Sequence, residues 1–144
     1  MADLDVPDLN VWLALADPDH QHHARAKCYW HQESLPEFAF CRVTMLGLLR
    51  LLTNSSIMAG KPFNPAGAWA VYEAFASLPE TRFIEDSVSA EESFTRLTKA
   101  ANFAAHRWTD AWIVAIAHSA GARVVSFDSD FLTFDGVRFL HLKA

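Results

Sequence analysis

The chain has 144 residues, of which 51% are hydrophobic and 20% charged, and this is the size and balance of one globular domain spanning residues 1–144. Its net charge of −5 excludes an overall positive field, so any contact with nucleic acid must be local or made through a metal ion. No apolar run reaches the roughly 18 residues of a membrane span, and the acidic first residues do not resemble a signal peptide. We therefore expect a cytoplasmic protein without a membrane segment.

Strands and helices alternate in the first half of the sequence. Apolar residues at 4–6 predict a short strand, and the apolar-rich segment after Asp8 predicts a helix that ends before Pro18, because a residue preceding proline disfavours the helical conformation. Thr44 is predicted to cap the helix that follows the second strand. The predicted elements are a strand at 4–6, helices at 9–16 and 22–32, a strand at 38–41, and helices at 45–52 and 66–77.

The second half continues this alternation. Ser89, with Glu92 three residues later, has the form of a capping box, and Gly121 ends the clearest helix. The predicted elements are a strand at 82–85, helices at 89–101 and 109–120, a strand at 124–127, a helical turn at 128–132 and an edge strand at 137–140. This order predicts an α/β fold, with a central, mostly parallel sheet of four to five short strands covered by helices on both faces.

Three aspartates mark points where a predicted strand or loop gives way to a helix. Asp8 and Asp128 each follow the end of a strand, which is the edge where ligands collect in open parallel sheets. Asp110 lies in the first turn of its helix, where the helix dipole favours an ionised carboxylate. Each aspartate alone is explained equally well as a helix cap or a turn residue without a role in binding. Together they predict a cluster whose repulsion, several kcal/mol at an effective dielectric of about 20, favours a bound cation.

Magnesium or manganese is the cation that suits such a cluster. Magnesium takes hard oxygen ligands and keeps several waters, so one or two carboxylates bind it directly and others act through water. A metal held in this way can activate a water and neutralise charge on a phosphodiester, without a protein nucleophile. Asp130 is ambiguous, because it can act through water or serve as a local cap.

The sequence resembles the PIN-domain ribonucleases, and specifically the VapC-type toxins of VapBC toxin–antitoxin systems, in five segments. Each segment alone is a weak signal, whereas their order and spacing along nearly the whole chain are fairly specific. The segments are PDLNVWLAL at 7–15, HQHHARA at 20–26, TMLGLLR at 44–50, TDAW at 109–112 and SFDSDF at 126–131.

The resemblance implies an endoribonuclease that depends on magnesium or manganese, cuts RNA such as tRNA or rRNA, and is inhibited by a cognate VapB-type antitoxin. It also implies a homodimer, which is common in such systems. By match of motif, Asp8, Asp110 and Asp128 bind the metal. Asp130 matches an additional catalytic acid. The supporting residues that the resemblance implies are Asn10, Ser126 and Thr109.

One position departs from the family pattern. A glutamate is expected after the threonine of the third segment, and Met45 stands there. A thioether does not replace a carboxylate as a ligand of hard magnesium. Two interpretations follow. Either Asp130 with water molecules completes the site, or the chain is a weakly active or inactive PIN module that binds RNA or a partner.

Basic residues near these segments are candidates for contacts with RNA. Phosphate contacts provide most of the non-specific affinity for nucleic acid, and Arg50 and Arg107 are the predicted contacts. Arg50 reaches the cleft only if the third helix borders it. Arg42 and Lys61 are explained at least as well by a solvent-exposed face.

Other motifs have simpler explanations. Trp108 and Trp112 can stack on a base, but core packing explains Trp112 better. The adjacent His22 and His23 point to different sides of a helix, so exposed histidines are favoured over a transition-metal site. The DSD segment at 128–130 resembles a motif of haloacid-dehalogenase phosphatases, but only 14 residues follow it. The cysteines, at 28 and 41, lack a CxxC spacing and are predicted to be buried and reduced.

Overall fold

The computed structural model describes residues 1–144 as one five-stranded sheet covered by helices. The strands are β1 (Leu4–Pro7), β2 (Glu37–Phe40), β3 (Thr81–Phe83), β4 (Arg123–Ser126) and β5 (Phe139–His141). They lie in the order β3-β2-β1-β4-β5, and every neighbouring pair is parallel. The predicted α/β fold is therefore confirmed, and the last strand lies at an edge as expected.

Helices cover both faces of the sheet, also as predicted. They are α1 (Leu9–Ala16), α2 (His23–Cys28), α3 (Arg42–Leu52), α4 (Pro65–Ala76), α5 (Val88–Thr98) and α6 (Trp108–Ser119). Successive residues of a strand point to opposite faces, and Val124 and Val125 of β4 belong to two separate core clusters. The first cluster includes Ile113 of α6, and the second includes Trp12 of α1 and Leu48 of α3. None of these helices combines the length and the apolar character needed to cross a membrane.

The start of α5 differs from the prediction. The Ser87 side chain, not that of Ser89, caps this helix, and it accepts a hydrogen bond from the Ala90 amide at 3.1 Å. Ser89 lies inside the first turn, so the predicted capping box with Glu92 is wrong. The choice between the two serines follows from packing, because this phase buries Ala90 completely in the core.

The start of α3 also differs, and this helix borders the candidate site. It begins at Arg42, three residues before the predicted start at 45. Thr44 lies inside its first turn, where the hydroxyl accepts a hydrogen bond from the Cys41 amide at 3.0 Å. The cap position is Cys41, so the prediction of Thr44 as the cap is wrong.

The second predicted helix is divided into two parts. After α2 the chain continues as a wider π-helical turn, Tyr29–Glu33.

Cys28 is exposed and Cys41 is buried, so the prediction of two buried cysteines is wrong for Cys28. Cys28 comes two residues after the buried Ala26, and helix residues two apart do not share a face.

A buried ion pair ties β1 to β4. Asp5 is fully buried, and Arg123 beside it on β4 donates from Nε and Nη2 at 2.8 and 3.0 Å. The Tyr29 hydroxyl and a backbone amide donate to the same carboxylate at 2.7 and 3.0 Å. Burial and the charge of Asp5 raise the pKa of Tyr29, which therefore stays protonated as a donor. Because β1 leads to Asp8 and β4 leads to Asp128, this pair fixes the two strand ends relative to each other.

Arg123→Met is expected to lower the free energy of unfolding by about 3–5 kcal/mol, because it leaves the buried Asp5 carboxylate without its cation. Urea unfolding followed by tryptophan fluorescence measures this change. Arg96→Met is the matched control, since Arg96 is exposed on α5, and its change should stay within about 0.5 kcal/mol. Equal losses in the two variants would contradict a structural role for the pair.

Candidate active site

The aspartates singled out from the sequence lie at one edge of the sheet. Asp8 follows β1 and caps α1, whereas Asp128 follows β4 and caps the 3-10 turn Ser129–Thr133. Asp110 lies in the first turn of α6. The charges of Asp8 and Asp128 both act on Asp110, so the structure brings the three carboxylates together. Their role as metal ligands stays a prediction.

Asp8 is almost completely buried, and its carboxylate accepts two hydrogen bonds. Its exposed fraction is 8%. The Leu9 amide donates to Oδ1 at 2.7 Å, and the Ser126 hydroxyl donates to Oδ2 at 2.8 Å. Burial raises the pKa of Asp8, the two hydrogen bonds act in the opposite direction, and the charge of Asp128 raises the pKa further. Each carboxylate oxygen keeps a further lone pair, which can accept a cation.

Ser126 joins the two strand ends through one hydroxyl group. This fully buried residue accepts hydrogen bonds from Asn10 Nδ2 at 3.1 Å and from the Asp128 amide at 2.9 Å. Its single proton goes to Asp8 at 2.8 Å rather than to Asn10 Oδ1 at 3.4 Å, since a hydrogen bond to a carboxylate is the stronger one. Ser126 therefore contacts Asp8 and Asp128 directly, whereas Asn10 contacts Ser126 and no acid, and the supporting role of both residues stays a prediction.

Asp130 lies on the solvent side of the other three acids. Its side chain is exposed, and its amide donates to Asp128 Oδ1 at 2.8 Å. Its negative charge still acts on Asp110. This position fits a contribution through water better than direct enclosure of an ion, and the catalytic role of Asp130 stays a prediction.

The neighbouring charges at this edge affect the pKa of Asp110 most strongly. Burial, followed by the charges of Asp8 and Asp128, raises the pKa of Asp110 from 3.8 to about 6, and Arg107 partly offsets this rise. The folded chain thus holds more negative charge at this edge than it neutralises. Such an arrangement is unfavourable without a cation.

The donor chemistry of this edge fits a hydrated divalent ion. No group of three or more His, Cys, Asp or Glu side chains is arranged to enclose a metal by itself. Magnesium prefers oxygen ligands and keeps several of its waters, so it needs only one or two carboxylates directly. One or two direct carboxylates, with the remaining acids acting through water, suit the excess charge of this edge.

The guanidinium group of Arg107 makes its contacts within the chain. Its Nη2 donates to the Asp130 carbonyl oxygen at 2.5 Å, and its Nη1 donates to the Thr133 hydroxyl. The guanidinium group also lies 4.1 Å from the centre of the Phe134 ring. Arg107 therefore fastens the turn that follows Asp128 to the start of α6. That Arg107 also binds RNA phosphate stays a prediction.

Arg50 meets the condition set for it by the sequence, because α3 does border the site. Together with Thr109, the exposed Arg50 lines a cavity of about 330 Å³ between α1, α3 and α6. Thr109 directly precedes Asp110 and is itself exposed. It makes no side-chain hydrogen bond to the acids, so its predicted supporting role is limited to its place in the cavity wall.

Met45 does not line the cavity, and its burial weakens the interpretation of this position as a missing acid. Its side chain is 9% exposed and belongs to the core cluster that contains Leu48 and Tyr72. A glutamate at 45 would lie at the same buried position, where Met45 Sδ accepts a hydrogen bond from Arg42 Nη1 at 3.2 Å. The sequence analysis missed the residues of α3 that do line the cavity, although their spacing of three and four places them on one helix face. These residues are Val43, Leu46 and Gly47, which line the cavity beside the predicted Arg50.

The aromatic residues near Asp110 pack mainly against the protein. Trp112 is partly buried against the core, with its ring 5.3 Å from that of Phe94. Trp108 is 51% exposed. Among the histidines, His22 stacks on Phe127 at a ring distance of 4.7 Å, which gives it a packing partner in place of a metal.

The family is shown by the match of residues 6–137 to the PIN domain. The chain belongs to the PIN-domain family. Ribonuclease VapC41 of Mycobacterium tuberculosis is 31% identical over 137 residues, which cover 90% of this chain and 92% of the relative. Ribonuclease VapC39 of the same organism is 34% identical over 122 residues, covering 85% of this chain and 86% of the relative. This PIN domain is thus similar to VapC ribonucleases over nearly its whole length.

Solved structures share the fold of this PIN domain. The crystal structure of Mycobacterium tuberculosis VapC20, described as a sarcin–ricin loop cleaving toxin, has a TM-score of 0.67 and 20% identity, covering 93% of this chain and 98% of that one. VapBC2 from Rickettsia felis, bound to a promoter DNA fragment, has a TM-score of 0.68 and 11% identity, with coverages of 97% and 99%. At these identities the likeness shows the fold alone.

Asp110→Asn is expected to stabilise the metal-free protein at pH 7. The pKa of Asp110 rises from 3.8 unfolded to about 6 folded, so stability falls as the pH increases through this window. A shift of this size corresponds to about 3 kcal/mol, and we expect about 1–2 kcal/mol because solvent screens this partly exposed group. Urea unfolding in EDTA at pH 7 measures the gain.

The gain should shrink as the pH falls from about 6 to about 4, and it should be absent at lower pH, where the Asp110 carboxyl is protonated in both the folded and the unfolded state. Asp135→Asn is the control, because Asp135 is exposed and outside the cluster, and its effect should stay within about 0.5 kcal/mol. Equal stability of Asp110→Asn and the parent chain at pH 7 would contradict the proposed excess of charge.

Arg107→Lys is expected to loosen the turn after Asp128, because lysine keeps the charge but cannot donate to two acceptors in a fixed fork. Hydrogen exchange of the amides at 129–133 should become about tenfold faster, as for the loss of one to two kcal/mol of hydrogen bonding. Arg50→Lys is the matched control, since Arg50 is exposed and its guanidinium group makes no hydrogen bond within the chain. The same exchange rates in both variants would refute the fastening role.

Proposed function

We propose that this PIN domain is a metal-dependent endoribonuclease toxin that hydrolyses RNA phosphodiester bonds and is inhibited by a VapB-type antitoxin. The observation that supports this most directly is the edge formed by Asp8, Asp110 and Asp128, with its uncompensated charge and its Ser126 support. The relatives that match most of the chain are named ribonucleases. We propose the cytoplasm as its location, because the implied substrate and antitoxin are found there.

Asp8, Asp110 and Asp128 are the residues that would hold the metal, with Mg²⁺ or Mn²⁺ as the ion. When bound, such an ion supplies charge neutralisation at the scissile phosphate and a water of lowered pKa. Ser126 keeps Asp8 and Asp128 in register, since one hydroxyl contacts both residues at 2.8 and 2.9 Å. Asp110, with a pKa of about 6, is mostly ionised at pH 7 and contributes the charge that attracts the cation.

Metal binding in this proposal depends on these three acids together with Asp130. The cleft face of α3 carries no carboxylate. The alternative of a weakly active or inactive module was based on Met45, and that argument is weakened because Met45 packs in the core. Calorimetric titration with Mn²⁺ distinguishes the alternatives, because an inactive module that lacks a metal site would not bind the ion.

The RNA is proposed to bind through local contacts, because the net charge of the chain is −5. Arg50 is the proposed phosphate contact. VapC20, which shares the fold, is described as cleaving the sarcin–ricin loop, so an RNA that contains this loop and a tRNA are the first substrates to test. An antitoxin partner is supported by the VapBC proteins of Rickettsia felis and Salmonella typhimurium among the structural neighbours. A homodimer remains part of the proposal.

Cleavage of a fluorescent RNA is expected to require Mg²⁺ or Mn²⁺ and to stop in EDTA. Asp8→Asn and Asp110→Asn should each reduce the rate by about 100-fold or more, because several kcal/mol of charge stabilisation are lost. Ser126→Ala should reduce it by about 10–100-fold, as is usual for a residue that supports a metal ligand.

Asp135→Asn, an exposed aspartate outside the cluster, should cleave like the parent chain. Unchanged cleavage by both Asp8→Asn and Asp110→Asn in excess EDTA would show that the nuclease activity does not arise at this edge.

A further inference from the structure

A second feature of the site is the apolar cavity that opens beside the acids. Its volume is about 330 Å³, at the lower end of the roughly 300–1,000 Å³ of ligand sites. Leu9 and Thr109 form part of its wall. Leu9 directly follows Asp8 and Thr109 directly precedes Asp110, so the cavity wall contains the chain neighbours of two proposed metal ligands, while the acids themselves lie outside the lining.

The walls of this cavity are formed by aliphatic side chains from three helices. Ile113 of α6 is buried with 1% exposure, whereas Leu46 of α3 is 54% exposed at the rim. Gly47 lies between them in the lining. A Cβ atom added at Gly47 would come within 2.6 Å of Leu9 Cδ2, so the missing side chain is what allows α3 and Leu9 to approach so closely.

Arg50 is the one cationic residue of the cavity lining. An arginine guanidinium group is planar, donates up to five hydrogen bonds, and pairs with phosphate or stacks on a base. The site therefore combines a small apolar slot, a planar cation at its rim and a cluster of acids suited to phosphodiester chemistry. These three features match the three parts of a nucleotide unit, namely a flat base, an adjoining phosphate and a scissile phosphate.

We propose that this cavity is a nucleobase subsite, which accepts one unstacked base of a single-stranded RNA segment next to the scissile phosphate. Proteins recognise RNA sequence mainly at loops and ends, where bases can leave the stack and enter a pocket. Leu46, Val43 and Leu9 contact the base, and Arg50 binds the adjoining phosphate. This proposal deepens the proposed function and explains how the enzyme would select its cleavage position.

Abasic scanning of a short single-stranded RNA tests the subsite without relying on cleavage. RNA binding is measured by fluorescence anisotropy in the Asp110→Asn background, in the presence of Mg²⁺. Removing the base at one position is expected to weaken binding by about tenfold, which is typical of one base contact. In the Leu46→Trp, Asp110→Asn double variant the indole fills the slot, and the same abasic change should alter binding by less than about twofold.

Ile57→Trp in the same background is the matched control. Ile57 is 47% exposed and lines a separate cavity at the far end of α1, together with Ala16. This variant should keep the full abasic effect. If no position shows an abasic effect, or if Leu46→Trp retains it, the subsite is refuted. If Leu46→Trp instead changes only the mass of the protein in sedimentation, the surface is a contact between two copies, and the subsite is also refuted.

The outcome is separable from that of the proposed function. RNA cleavage by the parent chain without any abasic effect would uphold the nuclease and reject the subsite. An abasic effect that Leu46→Trp removes, in a parent chain that cleaves no RNA, would uphold the subsite and reject the nuclease.

Discussion

The pairing of β1 with β4 is the constraint on which the site depends. Two polar contacts secure it, one within the sheet and one at its edge. The buried pair of Asp5 and Arg123 holds the strands in register. The Ser126 hydroxyl then connects the residues that follow each strand, Asp8 and Asp128. Residues more than a hundred positions apart in the sequence are thereby held in one small volume, and α6 needs only to add Asp110.

The same two strands carry one compensated acid and lead to acids that are not compensated. Asp5 has a cation beside it, so its buried charge is compensated within the fold. Three residues further along β1, Asp8 has hydrogen bonds but no cation, and its pKa is raised by burial. Asp110 shows the same imbalance more strongly. The chain thus neutralises the charge of Asp5, which lies inside the fold, and leaves the charges of Asp8 and Asp110 available to a cation.

The sequence indicated the sheet edge well because Asp8 and Asp128 follow their strands directly, and parallel strands end on the same side. The contacts of Arg107 were beyond sequence reasoning, since its partners at 130 and 133 are 23 and 26 residues away and depend on the path of a loop. The burial of Met45 could not be predicted for another reason. Helical periodicity shows which residues share a face, but only packing decides whether that face meets the core or the cleft. The two serines before α5 show the same limit, because both suit a cap and only the burial of Ala90 distinguishes them.

Gly47 connects the packing of this protein with its chemistry. The contact between α3 and Leu9 is so close that even a methyl group at position 47 would have to move Leu9, and the amide of Leu9 is one of the two donors that hold Asp8. The atoms in contact are the terminal methyl groups of Leu9, so a larger residue at 47 would first displace this side chain within the cavity wall. The shape of the cavity at this position is thus tied to the packing of α3 on α1, whereas Leu46 and Arg50 at the exposed rim can be exchanged without altering that packing.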